Sequence, residues 1–348
     1  MPVMLFMSHN HRFISLIITA LLVAALGSAD LRAEDRDSPF SGFILAYDYL
    51  DLTRVLDEAR VFDQRHPGHS WLPTDRGGLR FQLRVREQFT PNAFVDAALN
   101  ADYNVAEASR APDGELSDGM SWRFQEGYIS LGRVFPWLDL KIGRQYVFWG
   151  RFEWGSVEDV ISPWDFVNMG AEKENFRIAV DALRAFVTPA SSPLSAEIIV
   201  LPWFQASRMP VVLPSKIGGM DVRLLDPEVP GTSAANVETG ARVAVETGSF
   251  GEVGVAWFRG FQRTFSLYVD VVPDETTGWP AGLDFQQRYS RHQMFAADFE
   301  FLLGPVVLLG ESGFFLTEDE HGTNVFVTNR RLRSVLGLEW EPSGAWRI

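Results

Sequence analysis

The chain has 348 residues, of which 31 are basic and 45 are acidic, so its formal net charge at pH 7 is -14. That balance argues against a nucleic-acid partner, which binds through positively charged surfaces. The sequence contains no cysteine, and its length allows a large core or a closed barrel without disulfides. The basic residues are 28 arginines and three lysines. Two interpretations stay open: codon bias, or arginines that pair bidentately with carboxylates in a polar lumen.

The N-terminus predicts a secretion signal. A weakly positive start precedes an apolar run over residues 13–26, and the small residues Gly27-Ser28-Ala29 then offer a cleavage site. We interpret residues 1–29 as a signal peptide, with cleavage after Ala33 as the second choice. Beyond it, no apolar stretch approaches the roughly 20 residues of a transmembrane helix. The mature chain, residues 30–348, is therefore exported and soluble, or it enters a membrane as strands.

Apolar and polar residues alternate along most of the mature chain, and this period of two predicts β-strands. The clearest case is a hairpin in which a strand over 79–85 turns at Thr90-Pro91-Asn92 and returns over 93–104. One of its faces is polar and opposes arginines to aspartates. The charged residues predicted on that face are Arg80, Arg84, Arg86, Asp96 and Asp102.

About twelve strands are predicted, many of them long enough to cross a membrane at a tilt. The segment 49–77 does not alternate, and it is either one or two helical turns capped by Thr53 or a polar loop. The predicted strands are 42–48, 79–85, 93–104, 121–131, 138–148, 178–187, 196–203, 237–246, 253–257, 295–301, 306–316 and 332–340.

Short turns alternate with long polar loops along the predicted strands. Short turns on one side and long loops on the other are typical of outer-membrane barrels. A soluble sandwich would instead have turns roughly every 8 to 12 residues. The sequence thus predicts an all-β, antiparallel, up-and-down transmembrane β-barrel. Tryptophans near strand ends are expected to form its interfacial girdles, and these are Trp122, Trp137, Trp149, Trp203, Trp257 and Trp340.

The most distinctive segment is 141–166, where a strand ends in Gly-Arg-Gln and leads into an aromatic and acidic loop. Its marker residues are Gly143-Arg144-Gln145, Trp149-Gly150, Asp159-Val160-Ile161-Ser162-Pro163 and Asp165-Phe166, with Glu126-Gly127-Tyr128-Ile129 upstream and Pro189 and Pro202 downstream. This signature resembles that of a family of proteobacterial outer-membrane porin-like barrels of unknown function, which is similar to the alginate-export and phosphate-selective porins. The match covers about residues 121–210, and only the alternation supports it elsewhere.

The resemblance implies a barrel in the Gram-negative outer membrane, surrounded by outer-membrane lipid and inserted by the barrel assembly machinery. Its oligomeric state is unknown. Members of that family are longer, and a complete barrel ends in a strand with a terminal aromatic residue, whereas this sequence ends with a Pro-Ser-Gly turn and four further residues. We therefore expect the barrel domain, residues 30–348, to be truncated at its C-terminus and to leave an open edge.

Two interpretations of the 141–166 segment stay open. In the first, its aromatics cap the barrel end, and Asp159 or Asp165 caps a short helix near Pro163. In the second, the loop folds inward and its charges form a constriction that sets selectivity. A bulge at Gly143 would then turn the side chain of Arg144 inward. The predicted lining residues are Arg144, Arg151, Glu153 and Asp159 at the constriction, and Arg80, Arg84, Arg86, Asp96, Asp102, Arg242 and Glu246 along the strands.

No enzyme activity, cofactor or metal site is predicted. The histidines have no metal-ligand spacing, and His292 near Ser290 lacks the rest of a catalytic triad. The leading hypothesis is an outer-membrane porin-like channel for passive passage or export of small polar or charged solutes. The alternative is a non-conducting barrel with an adhesive or structural role. The mixed signs of the predicted lining do not fix a preference for anions or cations.

Overall fold

The computed structural model describes residues 40–47, 78–104, 120–166, 176–211 and 213–340. The predicted signal peptide, the 49–77 segment with its candidate helical turns, and the C-terminal turn lie outside these residues. Within the described part of the chain, no helix is both long and apolar enough to cross a membrane.

Sixteen strands are described, in two compact units. The first unit comprises residues 1–88 and 95–127, and the second comprises 89–94 and 128–348. The strands are β1 (Phe40–Tyr47), β2 (Gly78–Thr90), β3 (Ala93–Asn104), β4 (Met120–Phe135), β5 (Leu138–Gln145), β6 (Val180–Val187), β7 (Leu194–Leu201), β8 (Lys216–Ile217), β9 (Met220–Leu224), β10 (Glu238–Glu246), β11 (Gly251–Phe261), β12 (Ser266–Pro273), β13 (Pro280–Arg288), β14 (Arg291–Leu303), β15 (Val306–Thr317) and β16 (Arg331–Trp340).

The order of the strands in the main sheet follows their order in the sequence. In the first unit the order is β1-β2-β3-β4, and in the second it is β4-β5-β6-β7-β10-β11-β14-β15-β16. In this order the pairs of neighbouring strands from β5 to β16 are all antiparallel. In this order β1 has only β2 beside it and β16 has only β15, among the described strands. The prediction of an all-β, antiparallel, up-and-down fold with about twelve strands is confirmed, because each of the twelve predicted segments is a strand in this order.

The sheet of the second unit has two faces of opposite character. The first, which we call the exposed face, presents large apolar side chains to the surroundings, such as Val243, which is 40% exposed, and Leu336, which is 70% exposed. The other, which we call the covered face, alternates with it along each strand and is overlaid by the loop 146–166. Further apolar residues of the exposed face are Leu183, Ile198, Val255, Phe295 and Phe314.

A hydrophobic cluster joins the loop to the covered face. The loop contributes Val147, Trp149, Val157 and Ile161, and the strands contribute Val180, Ala182, Ile199, Leu201, Ala256, Phe258, Met294, Ala296 and Phe315. Trp149 is only 2% exposed, so the interfacial position predicted for it is wrong. Gly240 on β10 makes room for this ring, since a Cβ there would lie 2.8 Å from Cη2 of Trp149. The predicted girdle residues Trp122, Trp137, Trp203 and Trp340 are exposed.

Two long loops of the second unit form a separate four-stranded sheet that the sequence did not predict. Its order is β12-β13-β9-β8, with β13 and β9 parallel. Arg223 on β9 donates to both carboxylate oxygens of Asp284 on β13, at 2.8 and 2.9 Å. β8 and β9 were missed because they are only two and five residues long, which is too short for alternation to be recognised.

Candidate functional site

In the first unit, the hairpin face predicted to be polar carries a ladder of ion pairs. Arg80 pairs with Asp102, and Arg84 Nε donates to Asp96 Oδ1 at 2.7 Å. Arg123 on β4 also reaches Asp102, at 3.0 Å. The predicted opposition of arginines to aspartates is therefore present, although a lining role stays a prediction. Arg86 is exposed near the end of β2.

In the second unit, a single carboxylate anchors the loop 146–166 to the covered face. Glu311 on β15 is 3% exposed. One of its oxygens accepts from the backbone N–H groups of Arg151 and Phe152, and the other accepts from the N–H groups of Val157 and Glu158 and from the Ser156 hydroxyl. Converging backbone donors of this kind stabilise a buried anion.

Glycine is required at position 150 for this anchor to form. Gly150 has a φ of +110°, which L side chains rarely adopt. A Cβ there would lie 2.1 Å from Ser156 Oγ and 2.7 Å from Glu311 Oε1. The Trp149-Gly150 pair, noted in the sequence as a family marker, therefore combines a buried ring with a turn that passes directly over a carboxylate.

Arg151 is the second anchor of the loop. Its Nε donates to Asp298 Oδ1 at 2.6 Å and its Nη1 to Glu300 Oε2 at 3.2 Å, and its Nη2 pairs with Glu252. Arg242 from β10 also reaches Asp298, at 2.8 Å, and Glu252, at 3.1 Å. We call the following seven residues the charged cluster: Arg151, Arg242, Glu252, Asp298, Glu300, Glu158 and Glu311.

Glu158 is the member of the charged cluster that lacks hydrogen bonds. It is 0% exposed, neither of its oxygens accepts a hydrogen bond, and Arg242 Nε is 3.9 Å from Oε2. Burial, followed by the negative charge of Asp298, raises the pKa of Glu158 to about 8, although Arg242 opposes the shift. Its carboxyl group is therefore predominantly protonated at neutral pH.

The raised pKa of Glu158 predicts that stability falls with increasing pH. The native protein retains this proton up to about pH 8, whereas the unfolded chain releases it near 4.5. Between these values the unfolded state binds fewer protons, so the free energy of unfolding decreases, and it levels off above the native pKa. We expect Glu158→Gln to remove most of the decrease in the thermal midpoint in detergent. Glu153→Gln, at an exposed neighbouring position, should keep the wild-type slope. An unchanged slope in the Glu158 variant would contradict the assignment.

The remainder of the loop is held by further arginines. Asp159 pairs with Arg177, whose guanidinium lies 3.3 Å from the centre of the Trp164 ring. Burial lowers the pKa of Arg177 to about 10. Arg208 pairs with Asp165 at 3.3 Å. The predicted helix near Pro163 is wrong, because the described loop consists of turns and extended bridges. The two aspartates bind arginines, and neither caps a helix in the described part of the loop.

Arg144 does not turn toward the covered face. The register of β5 and β6 passes through Gly143 without a shift, so the predicted bulge is wrong. Arg144 lies opposite Asp181, 3.6 Å away, on the face that also presents Ile142 and Leu183. Alternation is kept across Gly143, and Arg144 therefore belongs to the exposed face at the strand end.

Of the predicted constriction residues, Arg151 and Asp159 are the two that anchor the loop, while Glu153 is exposed. Arg242 lies in the charged cluster, and Glu246 is exposed at the end of β10. Sequence reasoning assigned no role to Glu158, Glu252, Asp298, Glu300 and Glu311. Asp298 and Glu300 could have been recognised in part from the sequence, because they alternate with apolar residues along β14. In the described part of the chain, no three His, Cys, Asp or Glu residues are grouped so as to hold a metal ion.

No protein-family model and no curated protein matches the sequence. Several solved outer-membrane proteins are similar in structure. The chain aligns with OmpF from Salmonella typhi, solved with daunomycin, with a TM-score of 0.38 and 11% identity over 86% of this chain and 73% of that one. For the outer-membrane protein OpdK of Pseudomonas aeruginosa the TM-score is 0.34 and the identity 10%, over 77% and 72%. For a porin variant of Rh. blastica they are 0.30 and 10%, over 88% and 90%.

Proposed function

We propose that this protein is a porin-like channel of the Gram-negative outer membrane, which allows small polar or charged solutes to pass passively or be exported. Residues 1–29 would be removed on secretion. The strands would enter the lipid with their exposed face outward, and the covered face would line the interior. The loop 146–166 would narrow the passage.

The observation that carries this proposal is that the apolar face of the sheet is exposed and the charged face is covered. A soluble protein buries its apolar residues and rarely leaves a contiguous apolar surface of this extent uncovered. Here large apolar side chains on neighbouring strands, such as Val255 and Phe295, are 55% and 47% exposed. The charged residues Asp298 and Glu311 on the opposite face are almost fully covered. Strands with apolar residues outward and polar residues inward are characteristic of membrane barrels.

One observation also favours the alternative of a non-conducting barrel. The loop 146–166 adds four apolar side chains to a continuous cluster on the covered face. Apolar packing at that position fills space that water would need. A barrel closed in this way would have an adhesive or structural role, with its long loops in contact with a partner.

Planar-bilayer recording of the purified protein distinguishes the two functions. We expect steady single-channel conductance, and we expect Arg151→Ala to raise it, because three ion pairs that hold the loop to the covered face are lost. Arg144→Ala is the matched control, since it removes the same charge from the exposed face and should leave conductance unchanged. Silent protein that shows heat-modifiable mobility and fractionates with the outer membrane would reject the channel and favour the alternative.

A further inference from the structure

Strand register places three glutamates side by side on the covered face. Glu246 on β10 lies opposite Glu252 on β11, and Glu252 lies opposite Glu300 on β14. Side chains that are directly opposite have Cβ atoms about 5 Å apart, and like charges in such pairs destabilise a sheet. We call these three residues the glutamate row. Arg151 pairs with Glu252 and Glu300 and offsets part of this repulsion, but Glu246 has no ion pair among the described residues, and like charges kept on three neighbouring strands indicate a functional role.

A second row of carboxylates lies next to the first. Two residues along the strands, Asp298 on β14 lies opposite Glu311 on β15. Glu158 projects into the same region from the loop, fully buried and without a hydrogen bond to either oxygen. The Oδ2 atom of Asp298 is likewise buried and unpartnered. Gly254 leaves the space for this group, because a Cβ there would lie 2.3 Å from Asp298 Oδ2.

The arginines of the charged cluster do not balance these carboxylates. Besides Glu158, the two rows hold five carboxylate side chains, and among the described residues Arg151 and Arg242 pair with three of them, Glu252, Asp298 and Glu300. The two arginines are also less accessible than the glutamates of the row that they pair with: the side chains of Arg151 and Arg242 are 13% and 19% exposed, against 28% for Glu252 and 36% for Glu300. A solute that passes this region therefore meets carboxylate oxygens first.

The arginines that β16 places on the covered face are too distant to cancel this excess. Arg333 on β16 lies opposite Gly313, four residues along β15 from the partner of Glu300. At a rise of about 3.3 Å per residue this separation is about 13 Å. It exceeds the screening length of about 8 Å at physiological ionic strength. Arg331 lies two residues further in the same direction.

We infer that the glutamate row makes this channel selective for small cations over anions. The inference rests on the proposed channel function and adds the class of solute to it. Rings of Asp or Glu side chains select cations in other channels, because they raise the local concentration of positive ions. A cleft lined by charges of one sign raises the local concentration of counter-ions by about tenfold or more, which corresponds to about a tenfold preference for cations over anions.

The test is the reversal potential of the purified protein in a planar bilayer with a KCl gradient. We expect potassium to be about tenfold more permeant than chloride. Replacing the row with Glu246→Gln, Glu252→Gln and Glu300→Gln should abolish most of that preference. The control carries Asp270→Asn, Glu275→Gln and Glu320→Gln, which change the net charge by the same amount but lie on β12 and in the loops that follow β12 and β15, and it should leave the permeability ratio unchanged.

A single variant covers the case in which the triple variant does not fold. Glu246 is exposed and makes no ion pair among the described residues, so Glu246→Lys should fold normally and still lower the potassium preference. Conductance with anion preference, or a ratio that neither the triple variant nor Glu246→Lys changes, would overturn the inference and leave the channel standing. Folded protein that does not conduct rejects the channel itself and its selectivity together.

Discussion

Replacing Glu311 with alanine is expected to release the loop 146–166 from the covered face. The side chain accepts hydrogen bonds from four backbone N–H groups and one hydroxyl, and all five donors come from residues 151–158. Without the carboxylate, these donors lose their common acceptor in a site that water does not reach. We expect the free energy of unfolding to fall by roughly 3–5 kcal/mol, as when one partner of a buried ionic group is removed.

Limited proteolysis measures loop release directly. Arg151 is 13% exposed in its side chain and is held by three carboxylates, so trypsin should cleave after it slowly in the wild-type protein and rapidly in Glu311→Ala. In the proposed channel, single-channel conductance should rise in parallel, because the loop would leave the passage. Glu311→Gln keeps one acceptor oxygen and should be intermediate. Glu246→Gln, at the exposed end of β10, is the control for the cleavage rate. Wild-type cleavage kinetics in Glu311→Ala would show that the anchor is not needed.

The strands could be predicted from the sequence because their two faces differ in polarity, so that apolar and polar residues alternate along each strand. Alternation over 93–104, for example, coincides with β3 at both ends. The ion pairs between Arg80 and Asp102 and between Arg84 and Asp96 were likewise accessible, since a tight turn fixes the register of β2 against β3. Local sequence decides both features.

The charged cluster could not be predicted in the same way. Glu311 contacts residues of the loop that precede it by 153 to 160 positions, and no local pattern specifies a contact at that separation. Seen in the sequence, Glu311 interrupts an apolar run, and Trp149 resembles any other tryptophan near a strand end. Only the fold of the loop distinguishes a ring buried against Phe258 from one at a membrane surface. The error at Arg144 was local, because a bulge at Gly143 was predicted where regular alternation continues.

Replacing Trp149 with alanine is expected to have the second largest effect. The ring is 2% exposed and belongs to the cluster that joins the loop to β6, β7, β11, β14 and β15. Removing a buried aromatic side chain of this size costs about 3–5 kcal/mol, since a cavity remains where the ring was. Thermal unfolding in detergent should show a clearly lower midpoint, with faster tryptic cleavage after Arg151.

Trp137→Ala provides the comparison that separates packing from membrane contact. Trp137 lies at the turn between β4 and β5, is 46% exposed, and stacks on Phe135 with ring centres 5.6 Å apart. Its loss should leave the detergent midpoint and the cleavage rate nearly unchanged, because no cavity forms. If the two variants were equally stable, Trp149 would not pack against the covered face, and the loop would lack the apolar half of its attachment. The two anchors are also expected to couple: combined with Glu311→Ala, Trp149→Ala should cost less than it does alone, because the released loop no longer buries the ring.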